Sequence, residues 1–314
     1  MGYSLGFDGG GTKTECVVLD ARGAVIGQGR SGPANPLRSG YDRAFLSMGE
    51  AAVGALLAAK IRPAHVTHVC AGIAGAGRRS VARRILVFLA REFPVALAHV
   101  ATDYEIALEA AAGPGSGVIL IAGTGSVAYG RNAAGETARA GGHGPWLGDE
   151  GSAFDIGRRA VSAVARVRDM DAPVTVLAEM IPYALECPDW DDLMLRIMKS
   201  PDEVFPKLFP VVAEAANAGD STAKEILFAS AIGLGNIAMV VIRRLGMKDQ
   251  EFPLVKCGGV FGHSPMLDSL LDSVLSSGAL HAKLSRLEIS PALGAARMAA
   301  RLSDSTSQAA THGD

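Results

Sequence analysis

Apolar residues near the start of the chain come in short runs that glycines and polar residues interrupt. Residues 3–9 and 14–20 form two such runs, and the glycines of GFDGGGTKTE separate them. Short runs with glycine at their ends are typical of strands, and a third strand is expected near 24–28. The pattern therefore predicts that the chain begins with a β-hairpin and a glycine loop.

Longer segments with helical spacing follow this hairpin and alternate with apolar runs. Apolar positions three and four residues apart predict helices over 42–59 and 78–93. The stretches VTHVCAGIAG and ALAHVATD predict buried strands, and the second ends at Asp103. Strands that alternate with helices indicate an α/β sheet.

The hairpin pattern returns in the middle of the chain. Residues 117–130, GVILIAGTGSVAYG, again place a glycine loop between two apolar runs. An ungapped alignment at an offset of 114 puts Gly9 on Gly123 and Thr12 on Ser126. A further short strand is expected at 136–139, as one is after the first hairpin. The repeat predicts a duplicated domain.

The remaining pattern is mostly helical. A helix is predicted over 149–168, and residues 172–246 have helical character almost throughout. A late strand and glycine loop, PLVKCGGVFG, precede helices at 265–276 and 292–302. We predict one domain over 1–115, completed by the helix near 292–302, a second over 116–290, and a disordered tail over 303–314.

The composition fits two domains with aliphatic cores. Of the 314 residues, 49% are apolar and 20% charged, and the formal net charge is −2. At about 150 residues per domain, the length predicts two domains. The charge balance excludes a basic nucleic-acid footprint, and no apolar run reaches the ~20 residues of a membrane helix. Four scattered cysteines and the lack of a recognisable signal peptide predict a cytoplasmic protein with reduced thiols.

The glycine loops suggest phosphate binding, because glycine lets a ligand approach main-chain N–H groups closely. The first loop is not a P-loop. That motif has four residues between its first glycine and a Gly-Lys pair, whereas here Gly11 is followed by Thr12. It is not a dinucleotide fingerprint either, because a strand follows it instead of a helix. An ordinary hairpin turn remains the alternative for each loop.

Six motifs together resemble a known superfamily, that of sugar kinases, heat-shock chaperones and actin. They are GFDGGGTKTE, SGPANP, VATD, ILIAGTGS, GGHGPWLGDEGSAFDIG and CGGVFG, and they span residues 4 to about 300 in the family's order. The sequence is most similar to the N-acetylglucosamine kinase branch, which is grouped with the BadF/BadG-type ATPases. The resemblance implies an α/β fold of two duplicated ribonuclease H-like domains, the actin-like ATPase fold, with a cleft between them.

The resemblance implies ATP and Mg²⁺ as cofactors. It assigns the nucleotide contacts to three glycine-rich segments: Gly10, Gly11, Thr12, Lys13, Thr124, Gly125, Ser126, Gly258 and Gly259. Asp8 would orient Mg²⁺ through water, because this ion gives up its hydration shell reluctantly.

The resemblance also assigns an acceptor site for an amino sugar: Asn35, Asp103, Gly142, His143, Gly144 and Asp149. Asp103 would be the catalytic base that takes the proton from the sugar's 6-hydroxyl as this oxygen attacks the γ-phosphate. N-acetylglucosamine is the expected acceptor, with no nucleic-acid or membrane partner. The sequence leaves open whether the chain forms a homodimer.

Simpler interpretations exist for the same residues. Asp103 could be the N-cap of a helix over 104–112, and Asp149 could complement the dipole of the helix it opens. Asn35, before a proline, is a common turn residue. His143 stands alone among glycines, so a metal role is not expected.

Two alternative functions remain open. The segment CAGIAGAG lacks a serine that some N-acetylglucosamine kinases present to the sugar, so glucosamine remains an alternative acceptor. The other alternative is an ATPase that activates a radical dehydratase or acyl-CoA reductase. Those relatives need closely placed cysteines for an iron–sulfur cluster, whereas the cysteines here are scattered.

Overall fold

The computed structural model describes residues 2–170 and 175–309. Two compact units divide the chain. The first runs to Gly115 and includes the chain from Leu287 onward, and the second is Ser116–Arg286. Each unit is built on its own five-stranded sheet.

The first unit has the following elements. Its strands are β1 (Tyr3–Gly9), β2 (Thr14–Leu19), β3 (Val25–Ser31), β4 (Val66–Ile73) and β5 (Leu97–Ala101). Its helices are α1 (Pro36–Ser39), α2 (Tyr41–Ala59), α3 (Arg79–Glu92), α4 (Asp103–Ala112) and the C-terminal α12 (Pro291–Ala309), and a 3₁₀ turn spans Pro63–His65. The strand order is β3-β2-β1-β4-β5, with β1, β4 and β5 parallel and β2 antiparallel to both its neighbours.

Helices cover both faces of this sheet. Successive side chains of β2 point to opposite faces of the sheet. On one face, Cys16 and Val18 join the core that α2 and α3 help to form. Val17 and Leu19 join a smaller core with Ala292 and other residues of α12. The alternation follows from the two-residue period of a strand, and because both faces of the sheet are covered, β2 is buried at every position.

Helix α12 contacts β1 closely at Gly6. A Cβ added at Gly6 would lie 2.1 Å from the Ala296 nitrogen, so only glycine fits this position. The helix ends at Ala309, and the disorder expected over 303–314 stays a prediction. Residues 310–314 of that prediction lie outside the described residues.

The second unit repeats the sheet with more helices. Its strands are β6 (Gly117–Ala122), β7 (Ser126–Arg131), β8 (Thr137–Gly141), β9 (Phe252–Cys257) and β10 (Ala282–Arg286). Its helices are α5 (Ala153–Met170), α6 (Leu177–Ala184), α7 (Trp190–Lys199), α8 (Pro201–Val204), α9 (Phe209–Asn217), α10 (Ser221–Arg244) and α11 (Pro265–Gly278), with a 3₁₀ turn at Phe205–Leu208.

The two sheets have the same topology. Read from the opposite edge, the second sheet has the order β8-β7-β6-β9-β10. This matches β3-β2-β1-β4-β5 of the first sheet, with β6 to β10 corresponding to β1 to β5 in chain order. The ungapped alignment of the two hairpins is wrong, however. Thr12 lies in the first loop, whereas Ser126 is already in β7 and pairs with Ala122. The first loop has four residues between the paired Gly9 and Thr14, and the second has three.

Helix α10 is the one helix among the described residues that is long and apolar enough to cross a membrane by length and composition. Half of its most apolar window is buried inside the protein. Leu227, Leu234 and Val241 belong to the core of the second unit. A place in that core accounts for the composition of this helix.

Candidate active site

The first glycine loop is a tight turn with exposed amides. The Gly10 N–H donates to the Lys13 carbonyl at 3.0 Å and closes the turn. Gly10 is therefore not a free donor, although it was predicted to contact phosphate. Within the described chain, the N–H groups of Gly11 and Thr12 form no such bond, and both residues are exposed. Adjacent unpaired N–H groups in a turn are a suitable site for an anion.

Asn35 lies beside this loop. The Gly10 carbonyl accepts the N–H groups of both Ala34 and Asn35 at 3.0 Å, which fixes the segment to the loop. The Asn35 Oδ1 accepts the Leu37 N–H at 3.0 Å and caps the short helix α1. The turn interpretation of Asn35 is thus confirmed, and it is compatible with a role of the side-chain NH₂ group in binding.

The ends of three parallel strands bring other predicted residues to the same edge. The Ala74 N–H donates to the Gly9 carbonyl at 2.9 Å, so the loop after β4 is joined to the end of β1. A Cβ added at Gly75 would lie 3.6 Å from Asn35 Oδ1, and one at Gly77 would lie 3.6 Å from the Tyr104 hydroxyl. Asp103 follows β5 at this edge, which is where α/β sheets usually bind ligands.

Asp103 is the first residue of α4, but it is not the cap. Thr102 is the N-cap, and its side chain forms a reciprocal capping box with Glu105. The sequence TDYE contains the pattern of this box, Thr-x-x-Glu, so the cap was detectable from the sequence. The prediction that Asp103 could be the N-cap is therefore wrong. Its position still complements the positive end of the helix dipole.

Asp8 and Asp103 interact electrostatically across this edge. Burial raises the pKa of Asp8 from 3.8 to about 7, the Asp103 carboxylate raises it as well, and Lys13 acts in the opposite direction. Because a bound cation would relieve both effects, Asp8 fits a role beside Mg²⁺. Among the described residues, no group of three or more His, Cys, Asp or Glu side chains could hold a metal alone. A magnesium ion would therefore need oxygen ligands from phosphate or water, which is its usual preference.

The second glycine loop has the same plan. The Gly123 N–H donates to the Gly125 carbonyl at 2.9 Å, and the described chain shows no bond from the N–H groups of Thr124 and Gly125. The Ser126 hydroxyl donates to the Glu150 carbonyl at 2.8 Å, so this side chain anchors the loop to the segment at 149–152. The donors that remain for a phosphate are thus Thr124 and Gly125.

Asp149 lies directly beneath this loop. It is buried, and its backbone has a φ of +59°, which is uncommon for a residue other than glycine. A Cβ added at Gly125 would lie 2.6 Å from Asp149 Oδ2. The carboxylate therefore contacts the bare Gly125 backbone, and α5 begins only at Ala153. A role of Asp149 in opening that helix is wrong.

The segment between β8 and Asp149 depends on glycine for its backbone conformation. Gly142 and Gly144 both have positive φ, and the Gly142 N–H donates to the Ser126 carbonyl at 2.8 Å. This bond places Gly142 beside the glycine loop. His143 is exposed, and no metal-binding group of the described residues includes it. Trp146 is 67% exposed and packs edge-on against Phe154.

Gly258 and Gly259 differ in why they are glycine. Gly258 has a φ of +114°, and a Cβ there would lie 2.3 Å from the Ala122 oxygen. The fold of the second unit therefore requires this glycine. Gly259 has no atom within 4 Å of its added Cβ. The Val260 N–H donates to the Ala122 carbonyl at 3.0 Å, which places this turn at the end of β6.

The predicted residues thus gather in two groups, one in each unit. The first unit holds Asp8, the loop at 10–13, Asn35 and Asp103, and the second holds the loop at 124–126, Asp149 and the two late glycines. Two further residues near these groups were not predicted from the sequence. Arg38 Nη1 would be 3.2 Å from a Cβ added at Gly11. Asp155 is buried and forms ion pairs with two arginines.

Comparisons with known proteins identify the family and its sugar-kinase members. Residues 5–299 match the BadF/BadG/BcrA/BcrD ATPase family. An N-acetyl-D-glucosamine kinase of Dictyostelium discoideum is 29% identical, over 94% of this chain and 97% of that relative. An N-acetylmuramic acid/N-acetylglucosamine kinase of Clostridium acetobutylicum is 31% identical, over 84% of this chain and 87% of that relative.

Among solved structures, a candidate N-acetylglucosamine kinase from Chromobacterium violaceum superposes with a TM-score of 0.77. It is 24% identical, and the match covers 96% of this chain and 99% of that one. At this identity the likeness concerns the fold. Together with the two sheets of identical topology, it confirms the predicted α/β fold with a duplicated domain.

Proposed function

The chain belongs to the BadF/BadG/BcrA/BcrD ATPase family, and on this premise we propose that it transfers the γ-phosphoryl group of ATP to the 6-hydroxyl of an amino sugar. N-acetylglucosamine is the acceptor we propose first, because kinases of that sugar are among its relatives. The observation that supports the proposal is that Asp8, near the end of β1, and Asp103, which follows β5, lie at the same edge of the sheet as the first glycine loop.

The assigned roles follow from the available groups. We assign the N–H groups of Gly11, Thr12, Thr124 and Gly125 to phosphate oxygens, because they are the loop donors not used by the turns. Phosphoryl transfer needs mainly such positioning and the stabilisation of negative charge. Lys13 is exposed within the first loop and would add positive charge there.

Asp103 is the proposed base. It would accept the proton of the 6-hydroxyl as that oxygen attacks, and a base of this kind typically contributes ~10²–10⁴-fold to the rate. Asp8 would hold Mg²⁺, which when bound neutralises charge on the phosphates. Asn35 and Asp149 would bind sugar hydroxyls, Asn35 through its NH₂ group and Asp149 through its carboxylate.

The test is a comparison of acceptors with a direct product assay. ADP release and the mass and phosphate position of the product are measured with N-acetylglucosamine, N-acetylmuramic acid, glucosamine and glucose. N-acetylglucosamine should give the highest kcat/KM, and the phosphate should be on the 6-oxygen. A kcat/KM for glucosamine equal to or above that value would make the chain a glucosamine kinase. ATP hydrolysis without any phosphorylated sugar would contradict the proposal.

The iron–sulfur alternative has less support from the cysteines. Cys16 and Cys70 are buried, and burial with the charges of Glu105 and Glu109 raises the pKa of Cys70 to about 12. A thiol ligates iron as the thiolate, so neither residue suits a cluster shared between subunits. Iron and sulfide at cluster stoichiometry in anaerobically purified protein would favour the activator instead.

A further inference from the structure

The second unit contains a cavity of about 380 Å³ that shares no lining residue with the glycine loops. Residues of α5 and α10 line it. Three arginines, Arg158, Arg159 and Arg166, contribute from α5. The cavity is therefore locally basic, although the chain as a whole has a net charge of −2.

The helical period explains why these side chains meet. Arg158 and Ser162 are four residues apart, and Arg159 and Arg166 are seven apart, so all four project from one side of α5. On α10, Thr222 and Ile226 have the same spacing of four. The cavity therefore has a basic wall and, opposite it, a wall with one hydroxyl.

Asp155 fixes two of the arginines in place. Its carboxylate accepts from Arg158 Nη2 at 2.9 Å, from Arg159 Nε at 2.8 Å and from the Gly151 N–H at 3.1 Å. Asp155 is buried, so the two guanidinium groups are held against a rigid acceptor. Each guanidinium has five N–H donors, and one bond to Asp155 leaves the others for a ligand.

The charges of this wall are not balanced. A single carboxylate cannot neutralise two guanidinium groups. Arg166 belongs to none of the ion pairs that the described residues form. Glu225 also lines the cavity, so two carboxylates, Asp155 and Glu225, offset two of the three positive charges and leave one. A net positive charge in a concave site raises the local concentration of anions.

We propose that this cavity is a second binding site, specific for the dianion of a phosphomonoester. Planar guanidinium groups match phosphate oxygens through paired N–H donors, which favours phosphate over a simple monovalent anion. The hydroxyls of Ser162 and Thr222 supply further donors. An adjoining cavity of about 330 Å³ shares Arg158 and Arg159 and leaves room for the organic part of the ligand. This proposal does not depend on the catalytic assignment.

The test is calorimetric titration of the full chain with inorganic phosphate at pH 8 and constant ionic strength. Arg166→Gln removes one cavity charge without disturbing Asp155. Arg168→Gln is the matched control, because it removes the same charge from the same helix but outside the cavity, where Arg168 lies over Trp190. Lys13→Gln controls for phosphate bound at the glycine loop.

Wild type, Arg168→Gln and Lys13→Gln should bind phosphate with similar affinity. Arg166→Gln should bind at least ~10-fold more weakly, as expected for the loss of a charge-assisted contact. Melting temperatures show that each variant is folded. The proposal is overturned if wild type gives no saturable binding, or if Arg166→Gln binds like wild type. Equal weakening by Arg166→Gln and Arg168→Gln would indicate a general charge effect, and loss only in Lys13→Gln would assign the phosphate to the glycine loop.

Discussion

Thr102 and Glu105 cap helix α4 reciprocally. Glu105 Oε2 accepts the Thr102 N–H at 2.7 Å, and Thr102 Oγ1 accepts the Glu105 N–H at 3.3 Å. The start of the helix is thus fixed without the side chain of Asp103, which lies between them in sequence. This arrangement makes the catalytic role of Asp103 testable separately from its structural role.

Asp103→Asn should abolish most of the turnover while leaving stability almost unchanged. If Asp103 is the base, kcat should fall by at least ~10²-fold, because Asn cannot accept the proton. The helix keeps its cap, and the small loss of dipole stabilisation is offset by the removal of repulsion with Asp8. The measurements are kcat and melting temperature on one preparation.

Thr102→Ala is the matched control for this variant. It removes the cap and should cost about 1 kcal/mol of the free energy of unfolding, with a much smaller effect on kcat. Near-wild-type turnover in Asp103→Asn would show that the base lies elsewhere. A large drop in the stability of that variant would give Asp103 a structural role despite the cap.

Asp8 should make the metal-free protein less stable as the pH rises. Its carboxyl has a pKa of about 7 in the folded state and an ordinary value of 3.8 when unfolded. Between these values the folded state binds more protons than the unfolded state, so the free energy of unfolding decreases with pH and levels off above about 7. Asp8→Asn removes this dependence.

The measurement is denaturant unfolding in a chelator at several pH values. From pH 5 to pH 8, wild type should lose on the order of 2 kcal/mol relative to Asp8→Asn. Asp42→Asn, at an exposed position in α2, is the control and should follow wild type. Parallel pH curves for all three proteins would contradict the raised pKa of Asp8.

Gly125→Ala should impair sugar binding through Asp149. The added Cβ would lie 2.6 Å from Asp149 Oδ2, so the carboxylate must move. If Asp149 binds a sugar hydroxyl, the KM for the sugar should rise by at least ~10-fold, as expected when a charged hydrogen bond is lost. Gly123→Ala adds the same methyl group to the same loop with no atom within 4 Å, and its kinetics should stay near wild type. An unchanged sugar KM in Gly125→Ala would remove Asp149 from the acceptor site.

The sequence predicted the parts of this site that depend on local pattern. The two hairpins follow from apolar runs around glycines, and the position of Asp103 follows from the apolar run before it. Contacts between distant segments were not predictable in this way. The approach of Asp149 to Gly125 depends on a positive φ and on a separation of 24 residues, neither of which has a periodic signature. The unequal lengths of the two glycine loops were also missed, because a repeat in composition does not fix the register of strand pairing.

Gly258 and Gly259 allow the structural and the binding roles of glycine to be separated. Gly258→Ala places a Cβ 2.3 Å from the Ala122 oxygen, at a backbone φ of +114°. Both the contact and the conformation are unfavourable, and the substitution should lower the free energy of unfolding by about 2 kcal/mol or more. Gly259→Ala has open space around the new methyl group, so its stability should stay within about 0.5 kcal/mol of wild type.

The kinetics of Gly259→Ala then test the nucleotide assignment. If adenosine lies against this glycine, the methyl group occupies space that only the ligand needs, and the KM for ATP should rise while the melting temperature and the sugar KM do not. The measurement is the KM for ATP at saturating sugar, with denaturant unfolding of the same protein. A wild-type KM in a stable Gly259→Ala would place the adenosine elsewhere, because the open space beside this residue would then not be part of the nucleotide site.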